Sequence, residues 1–182
     1  TGIVRALPDS TRDTRTIADL GCGTGAAGAA WARACATPPS IVGVDRHPWP
    51  VSEAGDTYRA FQLAARVRRD DVLNAPSGKR PAGIVAAFTV NELADEVRGR
   101  LLTRLLDRAK RGDRVLIVEP LARAAAPWWS EWSAAFASAG GRADEWRFRV
   151  ELPPIVAKLD RAAGLDHREA TGRSIWSGSR VG

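Results

Sequence analysis

The chain has no methionine, and only two cysteines, two histidines and three lysines among its 182 residues. Cys22 lies inside a glycine-rich segment and Cys35 stands apart from it, so we expect neither a disulfide framework nor a zinc site. His47 and His167 are isolated from each other, and we predict no metal site. No apolar run reaches the roughly 18 to 20 residues of a membrane span, and charged residues interrupt the N-terminal segment. These absences predict a cytoplasmic protein without a membrane partner.

The length of the chain indicates one domain, spanning residues 1–182, with a substantial core. Hydrophobic residues make up 45% and charged residues 26% of the chain, which is the balance of ordinary globular proteins. Because the sequence begins at Thr1 and lacks methionine, we expect it to be part of a longer chain with further sequence upstream. No feature of the sequence predicts the oligomeric state.

The charge of the chain is strongly basic. Lysine and arginine number 27 against 21 acids, which gives a net charge of +6 and an isoelectric point near 10.3. Almost all of the basic residues are arginine, whose planar guanidinium binds phosphate through two hydrogen bonds at once. RNA or a ribosomal particle is therefore the expected partner. The alternative is that a GC-rich genome, which enriches arginine and alanine, produced the same balance without a polyanionic partner.

A glycine-rich turn, Gly21–Gly25, follows the short apolar segment Thr16–Ala18 and the acid Asp19. The residues after the turn, Ala26–Arg33, are typical of a helix. Glycines at alternate positions let the backbone bend sharply and approach a ligand closely, because they have no Cβ. The free amides at the start of the helix would face that ligand. The G-x-G-x-G spacing differs from the G-x-G-x-x-G of dinucleotide binders.

Short apolar runs alternate with helical segments along the rest of the chain. Ile41–Asp45 and Ile84–Val90 have the continuous apolar pattern of buried parallel strands. Leucine and valine recur every four residues between Leu93 and Leu105, which predicts the clearest helix. Further strands are predicted at 65–72, 115–119, 146–150 and 168–176, and further helices at 53–63, 128–139 and 153–163. The alternation predicts a three-layer α/β/α domain with a mainly parallel sheet.

The D-x-G-x-G-x-G pattern of Asp19–Gly25, between a strand and a helix, resembles the first motif of the class I S-adenosylmethionine-dependent methyltransferases. The resemblance implies a Rossmann-like fold with seven strands, in which the last strand runs antiparallel between its neighbours. It also implies transfer of a methyl group from S-adenosylmethionine, with S-adenosylhomocysteine as the product.

The resemblance implies cofactor contacts from the first two strand ends. In this family the glycines pack against the methionine part and ribose of the cofactor; here they are Gly21, Gly23 and Gly25. Asp19 would position the cofactor's amino group, directly or through water. Asp45 resembles the acid that accepts hydrogen bonds from the ribose hydroxyls, and its neighbour Arg46 joins the same predicted site.

The third and fourth strand ends would complete this cofactor site. Asp71 resembles the acid that binds the adenine amino group, with the Val72 amide reaching a ring nitrogen. Asp70 competes for the same role, and the sequence leaves the choice between the two open. Phe88 and Thr89 would line the floor below the sulfonium.

Asn91 and Glu92 are the candidate catalytic residues. They could hold a polar group of the substrate, or Glu92 could act as a base; alternatively, Asn91 turns the chain into the following helix. No Pro-Pro-aromatic sequence follows, and neither cysteine is near, so methylation of exocyclic nitrogens and of cytosine C5 is not expected. Together, Ile84–Leu93, the arginine-rich helix that follows and Val115–Pro120 resemble the methyltransferase-like proteins of small-ribosomal-subunit assembly, including a mitochondrial branch.

Two other functions stay open at this point. One is a small-molecule methyltransferase, in which the tryptophan-rich C-terminal segment would cover an apolar acceptor. The other is a cofactor-binding assembly factor that no longer transfers methyl groups. The arginines that follow Leu93 form either a solvated helix face or an RNA-binding one, and the tryptophans either fill the core or stack on bases.

Overall fold

The computed structural model of the chain describes residues 1–75, 82–121, 126–165 and 168–178. The strands are β1 Thr16–Leu20, β2 Ser40–Asp45, β3 Ala65–Arg69, β4 Ala82–Ala87, β5 Arg114–Glu119, β6 Arg142–Arg149 and β7 Glu169–Ser177. The helices are α1 Gly2–Ala6, α2 Ala26–Ala32, α3 Pro48–Ala60, α4 Asp95–Lys110, α5 Trp129–Ser138 and α6 Pro154–Ala162. Single helical turns at Val72–Asn74 and Val90–Glu92 follow β3 and β4.

The strands form one seven-stranded sheet in the order β3-β2-β1-β4-β5-β7-β6. β1 to β5 run parallel, whereas β7 runs antiparallel to both of its neighbours, β5 and β6. The predicted Rossmann-like fold with an antiparallel last strand is therefore confirmed. The strand order reverses at β1, which pairs with β2 on one side and β4 on the other. In open α/β sheets, ligands bind outside the carboxyl ends of the strands at such a reversal.

The core consists of two clusters of buried side chains, separated by the sheet. Neighbouring residues of β4 such as Ile84 and Val85 belong to different clusters, because successive side chains of a strand point to opposite faces. One cluster is completed by α4 and α5, for example by Leu101. The other is completed by α1, α2 and α3, for example by Trp31 and Tyr58. Because helices cover both faces of the sheet, a ligand site is expected at the ends of the strands.

Several element boundaries differ from the predicted ones. β3 ends at Arg69 rather than at residue 72, because the Asp71 side chain accepts a hydrogen bond from Leu73 N–H and caps the turn that follows. β4 ends at Ala87, since Phe88 takes a φ of +57°, which no strand accommodates. α3 begins at Pro48, a residue that suits the first turn of a helix.

Other differences lie towards the two ends of the chain. β6 extends from Arg142 to Arg149, so it begins four residues before the predicted start at Trp146. The short helix α1 was not predicted. His167 lies outside the described residues. Within the described ranges, no helix has both the length and the apolar character to cross a bilayer, and no group of three or more potential metal ligands occurs.

Candidate functional site

The glycine turn between β1 and α2 has three glycines with positive φ: +60° at Gly21, +50° at Gly23 and +81° at Gly25. Other residues adopt this left-handed region only at a cost, so the alternation of glycines predicted from the sequence is a backbone requirement. Cys22 N–H donates to the Val44 carbonyl of β2 at 2.9 Å. The turn is therefore anchored to the neighbouring strand.

Two glycines of the turn face different surroundings. A Cβ added at Gly21 would clash with the side chain of Thr89, so this glycine is required by packing within the protein. Thr89 is buried there, with Oγ1 3.0 Å from the Leu20 carbonyl oxygen. A Cβ added at Gly23 would meet nothing within 4 Å. The backbone at Gly23 therefore borders open space into which a ligand can fit.

Asp19 is enclosed beneath the turn and is only 1% exposed. Its Oδ2 accepts hydrogen bonds from Gly28 N–H and from the Tyr58 hydroxyl, both at 2.8 Å. Burial raises the pKa of Asp19 to about 6, against the opposing effect of these two hydrogen bonds. Asp19 thus ties β1 to the start of α2 and to α3. Its predicted contact with the cofactor's amino group stays a prediction.

Asp45 lies at the carboxyl end of β2, beside the glycine turn. Its Oδ2 accepts a hydrogen bond from Gly23 N–H at 3.0 Å, and its Oδ1 accepts one from His47 N–H at 3.0 Å. These bonds hold the carboxylate in one orientation next to the open space at Gly23. Each carboxylate oxygen has a second lone pair with which it can accept a hydroxyl.

Asp70 and Asp71 both belong to the turn after β3. Asp70 Oδ1 accepts from Asn74 Nδ2 at 2.9 Å, and hydrogen bonding of this kind lowers the pKa of Asp70. Asp71 Oδ1 accepts from Leu73 N–H at 2.9 Å, and its Oδ2 lies 3.5 Å from Arg46 Nε. Both carboxylates therefore shape the turn, and the geometry does not separate their predicted roles.

Phe88 is the exposed aromatic residue at the end of β4, with 55% of its surface accessible. It follows the last residue of a central strand, and its positive φ turns it out of the strand direction. Phe88 N–H still donates to the Val118 carbonyl at 2.9 Å, so the backbone stays anchored to β5. A fixed backbone with an exposed ring at this edge suits a surface that a ligand covers.

Asn91 takes part in a hydrogen-bond network that links β4, β5 and the segment before α5. Asn91 Nδ2 donates to Glu119 Oε2 at 2.8 Å, and Trp128 Nε1–H donates to Asn91 Oδ1 at 2.9 Å. Val90 N–H donates to the other oxygen of Glu119 at 3.1 Å. Both ends of the Asn91 amide are therefore engaged, while Glu92 is exposed. Asn91 fixes this turn, and Glu92 is the carboxylate that a substrate could reach.

The carboxyl edge of the sheet thus brings together most of the predicted residues. Asp45, the turn after β3, Phe88 and Glu92 all follow the ends of parallel strands around the glycine turn. Tyr58 was not predicted to take part, although it is the single tyrosine of the chain. Cys22 is buried, and burial raises the pKa of its thiol to about 12, which does not suit a nucleophile.

Two buried carboxyl groups with raised pKa values, Glu119 and Asp19, predict that stability falls as pH rises. Burial raises the pKa of Glu119 to about 7 and that of Asp19 to about 6, from ordinary values of 4.5 and 3.8. Between about pH 4 and pH 7 the unfolded chain has released these protons while the folded chain retains them, so the folded state loses stability. Thermal unfolding from about pH 5 to pH 8 should show this fall, with a plateau above pH 7.

The Glu119→Gln variant separates the two carboxyl groups. It should show a smaller loss of stability between about pH 5 and pH 7, because the contribution of Glu119 is removed while that of Asp19 remains. Parallel pH profiles for the variant and the parent protein would contradict this assignment.

Comparisons with known proteins define the class. A sequence model of the family described as a methyltransferase domain matches residues 17–112, more than half of the chain. No curated protein sequence matches. Among solved structures, a SAM-dependent methyltransferase from Aquifex aeolicus is 16% identical, with 90% of this chain and 81% of that chain covered and a TM-score of 0.57.

Two further structures share the fold. The O-methyltransferase NcsB1 from neocarzinostatin biosynthesis, solved with S-adenosylmethionine and a naphthoic acid, is 17% identical, with 90% and 48% covered and a TM-score of 0.57. An RNA methyltransferase from Salinibacter ruber, solved with S-adenosylhomocysteine, is 19% identical, with 65% and 75% covered and a TM-score of 0.50.

The chain belongs to the methyltransferase domain family. The predicted enzyme class, an S-adenosylmethionine-dependent methyltransferase of class I, and its cofactor are therefore confirmed. The comparisons give no support to the narrower resemblance to small-ribosomal-subunit proteins. The methyl acceptor is not identified by the family, because the similar structures include enzymes for both small molecules and RNA.

Proposed function

We propose that this protein transfers a methyl group from S-adenosylmethionine to RNA. The observation that supports the cofactor site best is the pairing of Asp45 with Gly23. Gly23 N–H donates a hydrogen bond to the Asp45 carboxylate at 3.0 Å. A Cβ added at Gly23 would meet no protein atom within 4 Å, so the space beside this pair is open. A ribose with two hydroxyls needs a fixed hydrogen-bond acceptor beside unobstructed backbone, and the Asp45 carboxylate next to Gly23 provides this arrangement.

The cofactor fits the groups that surround this space. Asp45 would accept from the ribose hydroxyls, and the backbone of Gly21, Gly23 and Gly25 would lie along the methionine part and ribose. One of the acids Asp70 and Asp71 would accept from the adenine amino group. The Val72 N–H would donate to the ring, since it has no acceptor among the described residues. Phe88 and Thr89 would form the floor, with Arg46 at the rim.

Methyl transfer from a sulfonium is an in-line displacement: the acceptor's lone pair forms the new bond to carbon while the carbon–sulfur pair stays on sulfur. The bound cofactor supplies the activated methyl group. The protein's share is positioning, so a strong base is not needed. Asn91, locked between Glu119 and Trp128, would fix the turn that presents Glu92 to the acceptor. Glu92 would hold the acceptor's polar hydrogen or remove it.

RNA as acceptor is supported by the net charge of +6. A ribosomal particle, such as the small subunit, would provide such an acceptor. A small-molecule acceptor is the second candidate, because Phe88 and Trp49, 55% and 65% exposed, follow the ends of β4 and β2 and could enclose an apolar compound. A protein that binds the cofactor without turnover is the third.

Transfer of tritium-labelled methyl groups tests these three functions. The protein and labelled S-adenosylmethionine are incubated with total RNA, with total protein and with a small-molecule fraction of a cell extract. Label in RNA, lost in Glu92→Gln and kept in Glu53→Gln, a partly buried position of α3, supports the proposal. Label in the small-molecule fraction alone supports the second function, and no label with intact cofactor binding supports the third.

A further inference from the structure

A strongly cationic concave surface lies between the turn after β3 and α4. This arginine groove has a volume of about 700 Å³ and is lined on one side by Leu73 and Asn74 of the turn. On the other side its described lining includes Arg100, Arg104, Asp107, Arg108 and Arg111. Four arginines against one aspartate give the lining a charge of +3. The aspartate itself lies 3.8 Å from Lys110 Nζ. The groove is therefore a site for an anion rather than for an apolar ligand.

We propose that the arginine groove binds the phosphate backbone of a single-stranded RNA. The proposal rests on the function proposed above and deepens it, since it names the surface that holds the RNA acceptor. Guanidinium groups bind phosphate oxygens through paired hydrogen bonds, and a concave basic wall concentrates the field that attracts a polyanion.

The middle of the groove is built into the fold. Arg104 Nη2 donates to the Ala75 carbonyl at 2.8 Å, and its Nη1 donates to the Leu73 carbonyl, so α4 is tied to the turn. Arg108 is 6% exposed, and its Nε pairs with the Asp113 carboxylate. Its Nη2 is buried without a hydrogen-bond partner.

The two ends of the groove are free to bind. Arg100 and Arg111 are exposed, and neither side chain makes a hydrogen bond or ion pair within the part of the chain that the structure describes. They are separated along α4 by about 16 Å, at 1.5 Å per residue. That span is several times the width of one phosphate group. A single phosphate cannot contact both Arg100 and Arg111, so the arginine groove favours an extended polyanion.

The lining also indicates how the strand is recognised. None of the lining residues that the structure describes is aromatic, so this part of the groove offers no platform for stacking bases. Binding would therefore depend on the backbone and be tolerant of sequence. Leu73 and Asn74 belong to the same turn as Val72, the predicted adenine contact, so a strand in the groove passes beside the cofactor site.

Charge reversal at the two ends tests the proposal. The Arg100→Glu/Arg111→Glu variant is compared with Arg5→Glu/Arg149→Glu, which makes the same change in net charge at exposed positions on α1 and β6. Fluorescence anisotropy measures the affinity for a labelled single-stranded RNA of about twelve nucleotides. The groove variant should bind at least about tenfold more weakly, and the slope of log K against log salt should drop by about 1.4. The control variant should show a much smaller loss of RNA affinity and a much smaller drop in the salt slope.

Measuring cofactor binding as well distinguishes failure of the groove proposal from failure of the proposed RNA acceptor. Both variants should bind S-adenosylhomocysteine like the parent protein, because no replaced residue lies at the glycine turn. RNA binding by the parent protein that both variants weaken equally would overturn the groove and leave the RNA acceptor standing. Absence of RNA binding by a parent protein that binds S-adenosylhomocysteine would overturn both. Affinity for inorganic phosphate equal to that for the RNA would overturn an extended strand as the ligand.

Discussion

The Gly28→Ala variant is expected to lose about 3 kcal/mol of unfolding free energy, a large part of the stability of a domain this size. A Cβ at Gly28 would lie 2.5 Å from Asp19 Oδ2 and 3.0 Å from the Tyr58 hydroxyl. Both side chains are 1% exposed, so neither can move towards solvent. The added carbon would separate a buried carboxyl group from the donors that hold it, Gly28 N–H and the Tyr58 hydroxyl.

Gly99→Ala provides the matched control for this substitution. Gly99 lies inside α4, is exposed, and a Cβ there would meet nothing within 4 Å. Alanine in an exposed helix interior should stabilise the protein by about 0.5 to 1 kcal/mol. Urea denaturation of both variants measures the difference. A Gly28→Ala protein as stable as the parent would contradict the role given to the Asp19 contacts.

The Gly23→Ala variant is expected to lower the affinity for S-adenosylhomocysteine by about 30-fold or more, equivalent to about 2 kcal/mol. The protein leaves the space at this Cβ empty, so the substitution creates no internal clash. If the ligand lies against the Gly23 backbone, a methyl group there would occupy ligand volume. The positive φ of +50° adds strain to the folded state, and this effect must be separated from lost binding.

Gly112→Ala separates strain from binding. Gly112 has a φ of +88°, and a Cβ there would also meet nothing within 4 Å, but it lies in the turn after α4. Both variants should therefore lose about 1 kcal/mol of stability through backbone strain. Only Gly23→Ala should lose cofactor affinity in a calorimetric titration. Equal affinities in the two variants would place the cofactor elsewhere.

The glycine turn and the type of fold could be predicted because both depend on local signals. Three alternating glycines with positive φ leave a periodic trace in the sequence, and buried parallel strands leave continuous apolar runs. Strand ends were predicted less well. The end of β4 depends on the left-handed backbone of Phe88, a conformation that phenylalanine does not favour and that the sequence does not signal.

The contacts that connect distant segments could not be predicted. The cofactor contact of Asp19 stays a prediction, and the hydrogen bond that its carboxylate accepts from Tyr58, 39 positions along the chain, was not foreseen. Asn91 was weighed as a substrate group or a helix cap, whereas its amide is held by Glu119 and Trp128. Such pairings depend on how strands and helices are placed side by side, and no residue spacing encodes them.

The arginines of α4 show the same limit. The sequence left a solvated face and an RNA-binding face as alternatives. The structure shows that Arg104 and Arg108 have structural partners, the Leu73 and Ala75 carbonyls and Asp113. Arg100 and Arg111 extend the same stripe at the surface. Arg104 is anchored because the neighbouring turn offers it backbone carbonyls, whereas Arg100 and Arg111 remain exposed.

Calorimetric titration with S-adenosylhomocysteine, carried out on the parent protein and on the Asp45→Asn and Asp56→Asn variants, tests the cofactor site. Asp56 is an exposed carboxylate of α3 paired with Arg59, so its variant controls for the change in charge. We expect affinity in about the micromolar range, unchanged in Asp56→Asn and at least about 30-fold weaker in Asp45→Asn. Equal binding by Asp45→Asn, or no binding by the well-folded parent protein, would contradict it.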